Sequence, residues 1–290
     1  MDGIPLGPSY TWSQARRRGV TRRQIRADGV PLSRGLYLSS AVQPHLPERC
    51  HAWTTVLPAD AAFGLGTAAV LHGVRDVEPR TIHVVLRPRR VLPQRQGLTV
   101  HLRRLEEADV VEQGGLRITS GAQTFLDLAA LLPAEELFVL GDSLMRGGRL
   151  CSQDLRERLA RADRVRGVVR ARRWAPHLSG AAASPRESLL RYWLLCSDLP
   201  APQVQLPIVD PQGRPVARAD LGYARWKIAL EYEGRQHADA GQFGRDIDRY
   251  SLMAADDWLV LRFASRHGPF AVVDRTRRAL INRGWRPGRS

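Results

Sequence analysis

Near the C-terminal end, acidic residues stand at spacings that could do chemistry. In KIALEYE, residues 227–233, strand alternation puts Lys227, Ala229, Glu231 and Glu233 on one face and Ile228, Leu230 and Tyr232 on the other. Two carboxylates two positions apart on one strand repel each other, a cost that a cation between them removes. In VARADLGY, residues 216–223, the same alternation aligns Val216, Arg218 and Asp220. If the two strands are neighbours, three carboxylates converge, an oxygen donor set suited to hard divalent ions such as Mg²⁺ or Mn²⁺. The chemistry would be metal-assisted hydrolysis, with an activated water attacking a phosphate. The plainer alternative is a pair of solvated strand acids balanced by Arg218 and Lys227.

The flanking residues extend both readings. Gly234 can turn the chain after Glu233, and Arg235, Gln236 and His237 follow where a strand would end. Beside a metal, such residues orient water or stabilise a phosphoryl oxygen; away from one, His237 is a surface histidine. The next segment is helical, with Phe243, Ile247, Tyr250 and Ala254 on one stripe and Arg245 and Arg249 on another. Asp246 pairs with those arginines or assists the site. Upstream, Ser184, Pro185 and Glu187 make a helix start, so Glu187 is either the acid of a capping box or a metal ligand presented from a helix. WLVLRF reads as a core strand and residues 270–281 as a last helix.

These acids sit in a strongly basic chain. Its 290 residues carry 44 Lys+Arg against 29 Asp+Glu, a formal net charge of +15, which draws the molecule toward polyanions such as DNA or RNA. The length suits two or three domains. Cys50, Cys151 and Cys196 fit neither a disulfide framework nor a zinc knuckle. With no signal-peptide pattern and no run of eighteen apolar residues, a cytoplasmic protein with no membrane span is expected.

At the other end, residues 12–18 suit a short helix broken at Gly19, and Thr21 with Gln24 makes a capping-box signature for a second. VPLSRGLYLSS then supplies two short strands about Ser33, Arg34 and Gly35. Helix, turn, helix and hairpin outline a winged helix-turn-helix, made basic by Arg16, Arg17, Arg18, Arg22, Arg23, Arg26 and Arg34. Residues 60–175 mix helices and strands: AAFGLGTAAVLHG reads as one packed helix, TIHVVL and LTVHL as strands, and helices are expected at 122–132, after Pro133, and from Gln153 to Arg173. His72, His83 and His101 are far apart in sequence and read as surface or structural residues. HLSGAAASP is a break before the last domain.

Two resemblances rest on these segments. Asp220-Leu221-Gly222-Tyr223, IALEYEGRQH at 228–237 and RDIDRYSLMAADDWLVLRF at 245–263 resemble the DUF559 family, which is similar to very-short-patch-repair endonucleases of the restriction-endonuclease-like superfamily. The likeness spans about residues 184–283. It implies that Asp220 is the acid of the superfamily's Pro-Asp element, Glu231 the acid of its Asp/Glu-x-Lys element, Glu187 its helix glutamate and His237 the histidine after the glycine. Glu233 stands where the superfamily has lysine, so Gln236, His237 or a metal-bound water would have to position the attacking water. Over about residues 10–175, VTRRQIRADGVPLSRGLYLSS, GTAAVLHG and LRITSGAQTFLDLAALLP resemble AbiEi-type antitoxins, which implies a DNA-binding repressor and a toxin partner.

The expected architecture is α/β: a winged helix-turn-helix at 1–58, a mostly helical antitoxin-like middle at 59–178, and a restriction-endonuclease-like domain with a mixed central sheet at 184–290. The leading expectation is a Mg²⁺- or Mn²⁺-dependent DNA endonuclease. Glu187, Asp220, Glu231 and Glu233 would hold the ion, and Arg22, Arg23, Arg26, Arg34, Arg218, Lys227, Arg235, Arg245 and Arg249 would hold DNA. The alternatives are an antitoxin-type DNA-binding regulator with a degenerate nuclease fold, and a toxin-binding or structural role without DNA.

Overall fold

The computed structural model describes residues 6–74, 79–210, 212–233 and 240–288, with side chains omitted over 240–247. Two compact units divide the chain: residues 1–133 with 147–177, and residues 134–146 with 178–290.

The first unit opens with strand β1 (Ser9–Thr11), helix α1 (Trp12–Arg17), helix α2 (Arg22–Asp28) and a hairpin of β2 (Gly29–Ser33) and β3 (Leu36–Ser39). Both helices start on full capping boxes, Thr11 with Gln14 and Thr21 with Gln24, which answer amides that a short helix would otherwise leave open. The sheet order is β1-β3-β2, and Tyr10, Ala15, Val20 and Ile25 are the buried core beneath it. Helix, helix and hairpin follow the order read from the sequence, with β1 as an additional strand.

Next come helix α3 (Leu46–Thr54), strand β4 (Ala62–Phe63), helix α4 (Leu65–Leu71), strands β5 (Ile82–Leu86), β6 (Leu98–Leu102), β7 (Val110–Gln113) and β8 (Leu116–Thr119), and helix α5 (Gly121–Ala129). The strands form a sheet of order β6-β5-β4-β8-β7. AAFGLGTAAVLHG is therefore not one helix. Ala62 and Phe63 pair with β5 and β8, and Gly64 is extended at φ −137 before α4 begins. A Cβ on Gly64 would meet Val85 Cγ2 at 2.4 Å, so the glycine serves a close strand approach. The middle is thus organised around a five-stranded sheet and is less dominated by helices than its sequence suggested.

After helix α6 (Ala134–Arg146), which belongs to the second unit, the first unit resumes with α7 (Ser152–Ala160) and α8 (Val168–Trp174). These divide the single helix expected over 153–173. Gly167, at φ 86, lies between them, and a Cβ there would come within 2.5 Å of the Ala130 amide nitrogen.

The second unit adds α9 (Pro185–Leu195), β9 (Gln203–Val209), β10 (Pro215–Tyr223), β11 (Ile228–Glu233), α10 (Ala240–Ala255), β12 (Leu259–Ala264) and α11 (Pro269–Asn282). Its sheet runs β12-β11-β10-β9 and is mixed: β9, β10 and β11 are antiparallel, and β12 joins parallel to β11 after the α10 crossover. One apolar cluster joins Leu190, Leu194, Leu221, Leu230, Phe263, Val272 and Leu280; a second joins Leu206, Ile208, Ala219, Ala229 and Met253. A buried ion pair, Asp142 to Arg191 at 2.6 Å, ties α6 to α9, with the guanidinium 4.6 Å from the Phe138 ring centre.

Candidate acidic site and basic surface

Strands β10 and β11 pair so that Leu221 faces Leu230 and Gly222 faces Ala229, which brings Asp220 level with Glu231 on the adjacent strand. Asp220 is half-buried, and its Oδ2 accepts the Tyr232 amide at 2.8 Å. Its pKa is pushed up to about 6, first by burial and then by the nearby Glu187 and Glu231 carboxylates, against the Tyr232 amide and Arg249, which lower it. Of the other three acids singled out in the sequence, Glu187 and Glu231 thus lie within electrostatic reach of Asp220.

Each of the others is answered by the chain itself. Glu187 is buried at the start of α9, where Oε1 accepts from Ser184 Oγ at 2.9 Å and Oε2 from the Ala183 amide at 2.8 Å and from Gln205 Nε2 at 3.1 Å. Ser184 Oγ caps the Glu187 amide at 3.2 Å, but the carboxylate reaches the Ala183 amide in place of the Ser184 amide, so the reciprocal bond of a capping box is replaced by one a residue upstream. Glu231 is only 6% exposed and is forked by Arg249, Nη1 to Oε1 at 2.9 Å and Nη2 to Oε2 at 3.2 Å, while the Tyr250 hydroxyl donates to Oε2 at 2.5 Å. Glu233 pairs with Arg262 across the β11–β12 pairing. Arg249 and Arg262 stand 4.6 and 4.9 Å from the Tyr250 ring centre, so one aromatic ring joins both ion pairs.

The sequence signal had placed Tyr250 on the apolar stripe of α10 and missed Arg262. The ladder pairing of Glu231 with Arg262 could have exposed the latter, since both lie on runs recognisable as strands. Lys227 also departs from expectation. It sits in left-handed backbone at φ 48, before β11, and its Nζ donates to the Asp256 carbonyl at 3.0 Å, so it does not share the Glu231 face.

A divalent ion does not fit this arrangement. Both Glu231 oxygens and Glu233 are held by arginines, which supply the positive charge that the strand acids require. Among the described residues, no group of three or more His, Cys, Asp or Glu is placed to hold a metal. Gln236, His237 and Arg235 lie outside the described residues, as does the side chain of Arg245.

The basic residues divide in the same way. Arg22, Arg23 and Arg26 on α2 and Arg34 at the hairpin turn are exposed, and no ion pair engages them among the described residues. Only Ile25 of α2 is buried, so the outer surface of this helix is a run of guanidinium groups. Arg218 is exposed on β10, whereas Arg249 is committed to Glu231. His83 and His101, eighteen residues apart, meet on neighbouring strands with Nδ1 and Nε2 2.9 Å apart, and burial lowers both pKa values.

Comparison with known proteins bears on the middle of the chain. Residues 61–176 match the family described as the AbiEi antitoxin C-terminal domain. Two uncharacterized proteins of Mycobacterium tuberculosis, from strains CDC 1551 / Oshkosh and H37Rv, are each 29% identical over 228 residues, covering 78% of this chain and 82% of theirs. The family match supports the AbiEi-type resemblance and ends before the DUF559-like segment. No helix among the described residues is long and apolar enough to cross a membrane.

Proposed function

We propose that the chain is a DNA-binding regulator of the antitoxin type, with a toxin as its protein partner. The observation that carries this reading is the match of residues 61–176 to an antitoxin domain. The residues before it support the reading physically. Arg22, Arg23 and Arg26 project from a short capped helix and Arg34 from the adjoining hairpin, the disposition by which a helix enters a groove while a wing follows the backbone. Guanidinium groups without internal carboxylate partners are available to replace counterions on phosphates. The second unit then acts as a folded module in which Glu231 and Glu233 are paired with Arg249 and Arg262.

One observation favours a second reading, a metal-dependent nuclease: Asp220 is held beside two other carboxylates with its pKa pushed up to about 6. For an ion to enter, Arg249 would have to leave Glu231.

The two readings separate in one experiment on the full chain. Binding to duplex DNA carrying its own upstream region is measured in EDTA, and the same DNA is then incubated with Mg²⁺ or Mn²⁺. The regulator reading predicts binding that persists in EDTA and DNA that stays intact with either ion. Metal-dependent cutting that is lost in Glu231→Ala would replace it with the nuclease.

A further inference from the structure

Strand β6 lies at the edge of the five-stranded sheet, pairs with β5 alone, and has no fully buried side chain among its five. A strand held in this way belongs to the low-stability end of a fold, so side-chain bonds across its ladder count. They include Thr81 Oγ1 with Thr99 Oγ1 and His83 Nδ1 with His101 Nε2, both at 2.9 Å. The two imidazole centres are 5.2 Å apart, with the ring planes 21° from parallel. That separation is the N···N distance plus two imidazole radii, so the facing nitrogens lie close to the line that joins the rings. One proton sits between them, donated by one ring and accepted by the other. A metal ion shared by the rings would need both lone pairs to meet beside that line, which this arrangement does not offer.

The number of protons on the pair decides whether this bond exists. A first added proton goes to an outward nitrogen and leaves the shared N–H···N in place. A second has only the accepting nitrogen left, which sets two N–H groups and two cations against each other at 2.9 Å. The surroundings do not offset that charge. On α5, Asp127 favours a charged His101, but its Oδ1 is taken by Arg103 at 2.7 Å, and Arg103, just past β6, repels a charged ring. On α4, Thr67 offers a neutral hydroxyl, which accepts the His83 amide at 2.9 Å. Burial foremost, joined at His101 by the charges of His83 and Arg103 against Asp127, holds both rings below the usual histidine pKa. With folded values below the unfolded value of about 6.5, the pair's contribution to stability is complete above that pH and is lost as pH falls through the folded values.

The same strand is joined to the hairpin. Gly97, immediately before β6, accepts the Ile82 amide at 2.9 Å, and a Cβ on it would stand 3.5 Å from the Leu32 carbonyl oxygen. Arg95 Nη1 donates to the Arg34 carbonyl at 2.9 Å. We propose that the His83–His101 pair is an acid-operated latch, whose double protonation frees β6 from the sheet edge and releases the brace that residues 95–97 give the β2–β3 hairpin. The latch is a property of the fold and holds whether or not the hairpin binds DNA.

Hydrogen–deuterium exchange of the full chain, followed by mass spectrometry at pH 7.5 and pH 5.0 and corrected for the intrinsic exchange rate at each pH, tests this. Protection over residues 98–102 is expected to fall at least tenfold at pH 5.0, with a smaller fall over 29–39 and none over 116–119 in β8. In His101→Gln, whose side chain takes no charge, the fall over 98–102 is expected to vanish. Equal wild-type protection over 98–102 at both pH values, unchanged protection over 29–39, a fall of the same size in β8, or a fall that persists in folded His101→Gln would overturn the proposal. An NMR titration of the wild-type imidazole C–H signals needs no variant. The two rings are expected to titrate in separate steps, the later one below free histidine, and two rings titrating together as free histidines would equally overturn the latch.

Discussion

The surroundings of Asp220 disfavour its charge. Its folded pKa of about 6 lies above the unfolded carboxylate value, so the folded state holds the proton more tightly. The ionised side chain therefore costs stability above pH 6, and the cost fades as pH falls from 6 toward 4. Asp220→Asn keeps an acceptor for the Tyr232 amide and removes the charge. It is expected to stabilise the chain at pH 7.5 by about 1–2 kcal/mol, a figure reduced for the solvent screening that reaches a half-buried group. Urea melts at pH 7.5 and pH 4 provide the check, and an equal difference at both pH values would contradict the assignment. Glu231, by contrast, is ion-paired with Arg249. Arg249→Met leaves a nearly buried carboxylate without its cation and is expected to cost about 3 kcal/mol. Pairing it with Glu231→Leu in the same melts is expected to recover most of that loss, whereas additive losses would show that the two side chains do not act as a pair.

At the scale of the element, α6 gives the clearest prediction. Its Asp142 is fully buried against Arg191 of α9, and the guanidinium also covers Phe138. Asp142→Ala is expected to cost about 3–5 kcal/mol by taking the carboxylate from a buried guanidinium. Thermal melts followed by circular dichroism provide the check, and a loss under 1 kcal/mol would show that the pair does not pin the helices. Elements with strong local signals were legible in the sequence: the Thr21–Gln24 box, the Ser184–Pro185 start, and the β10 and β11 runs. Those fixed by distant partners were not. Ala62 and Phe63 become a strand only because β5 and β8 flank them, and Gly167 caps the start of α8 in left-handed backbone where a Cβ would have no room beside Ala130. The acidic site was half legible for the same reason. Alternation placed Asp220 and Glu231 together, but only packing shows that α10 brings Arg249 and Tyr250 onto Glu231, or that Arg262 meets Glu233. His83 and His101 likewise meet only through strand pairing.

For the whole molecule, a formal charge of +15 sets the long-range attraction to nucleic acid, but charge alone does not say where the contact forms. The proposed contact lies on α2 and the hairpin, where exposed arginines carry no ion pairs among the described residues, and away from the Glu231 and Glu233 ion pairs of the second unit. The central measurement is the salt dependence of duplex DNA binding by the full chain in EDTA, comparing wild type with the triple variant Arg22→Ala, Arg23→Ala, Arg26→Ala. Each lost phosphate contact lowers the slope of log K against log salt by about 0.9. If these arginines hold the phosphates, the slope is shallower by about 2–3 in the triple variant, with far weaker binding at 0.1 M salt and unchanged circular dichroism. An unchanged slope and affinity in the folded triple variant would contradict it.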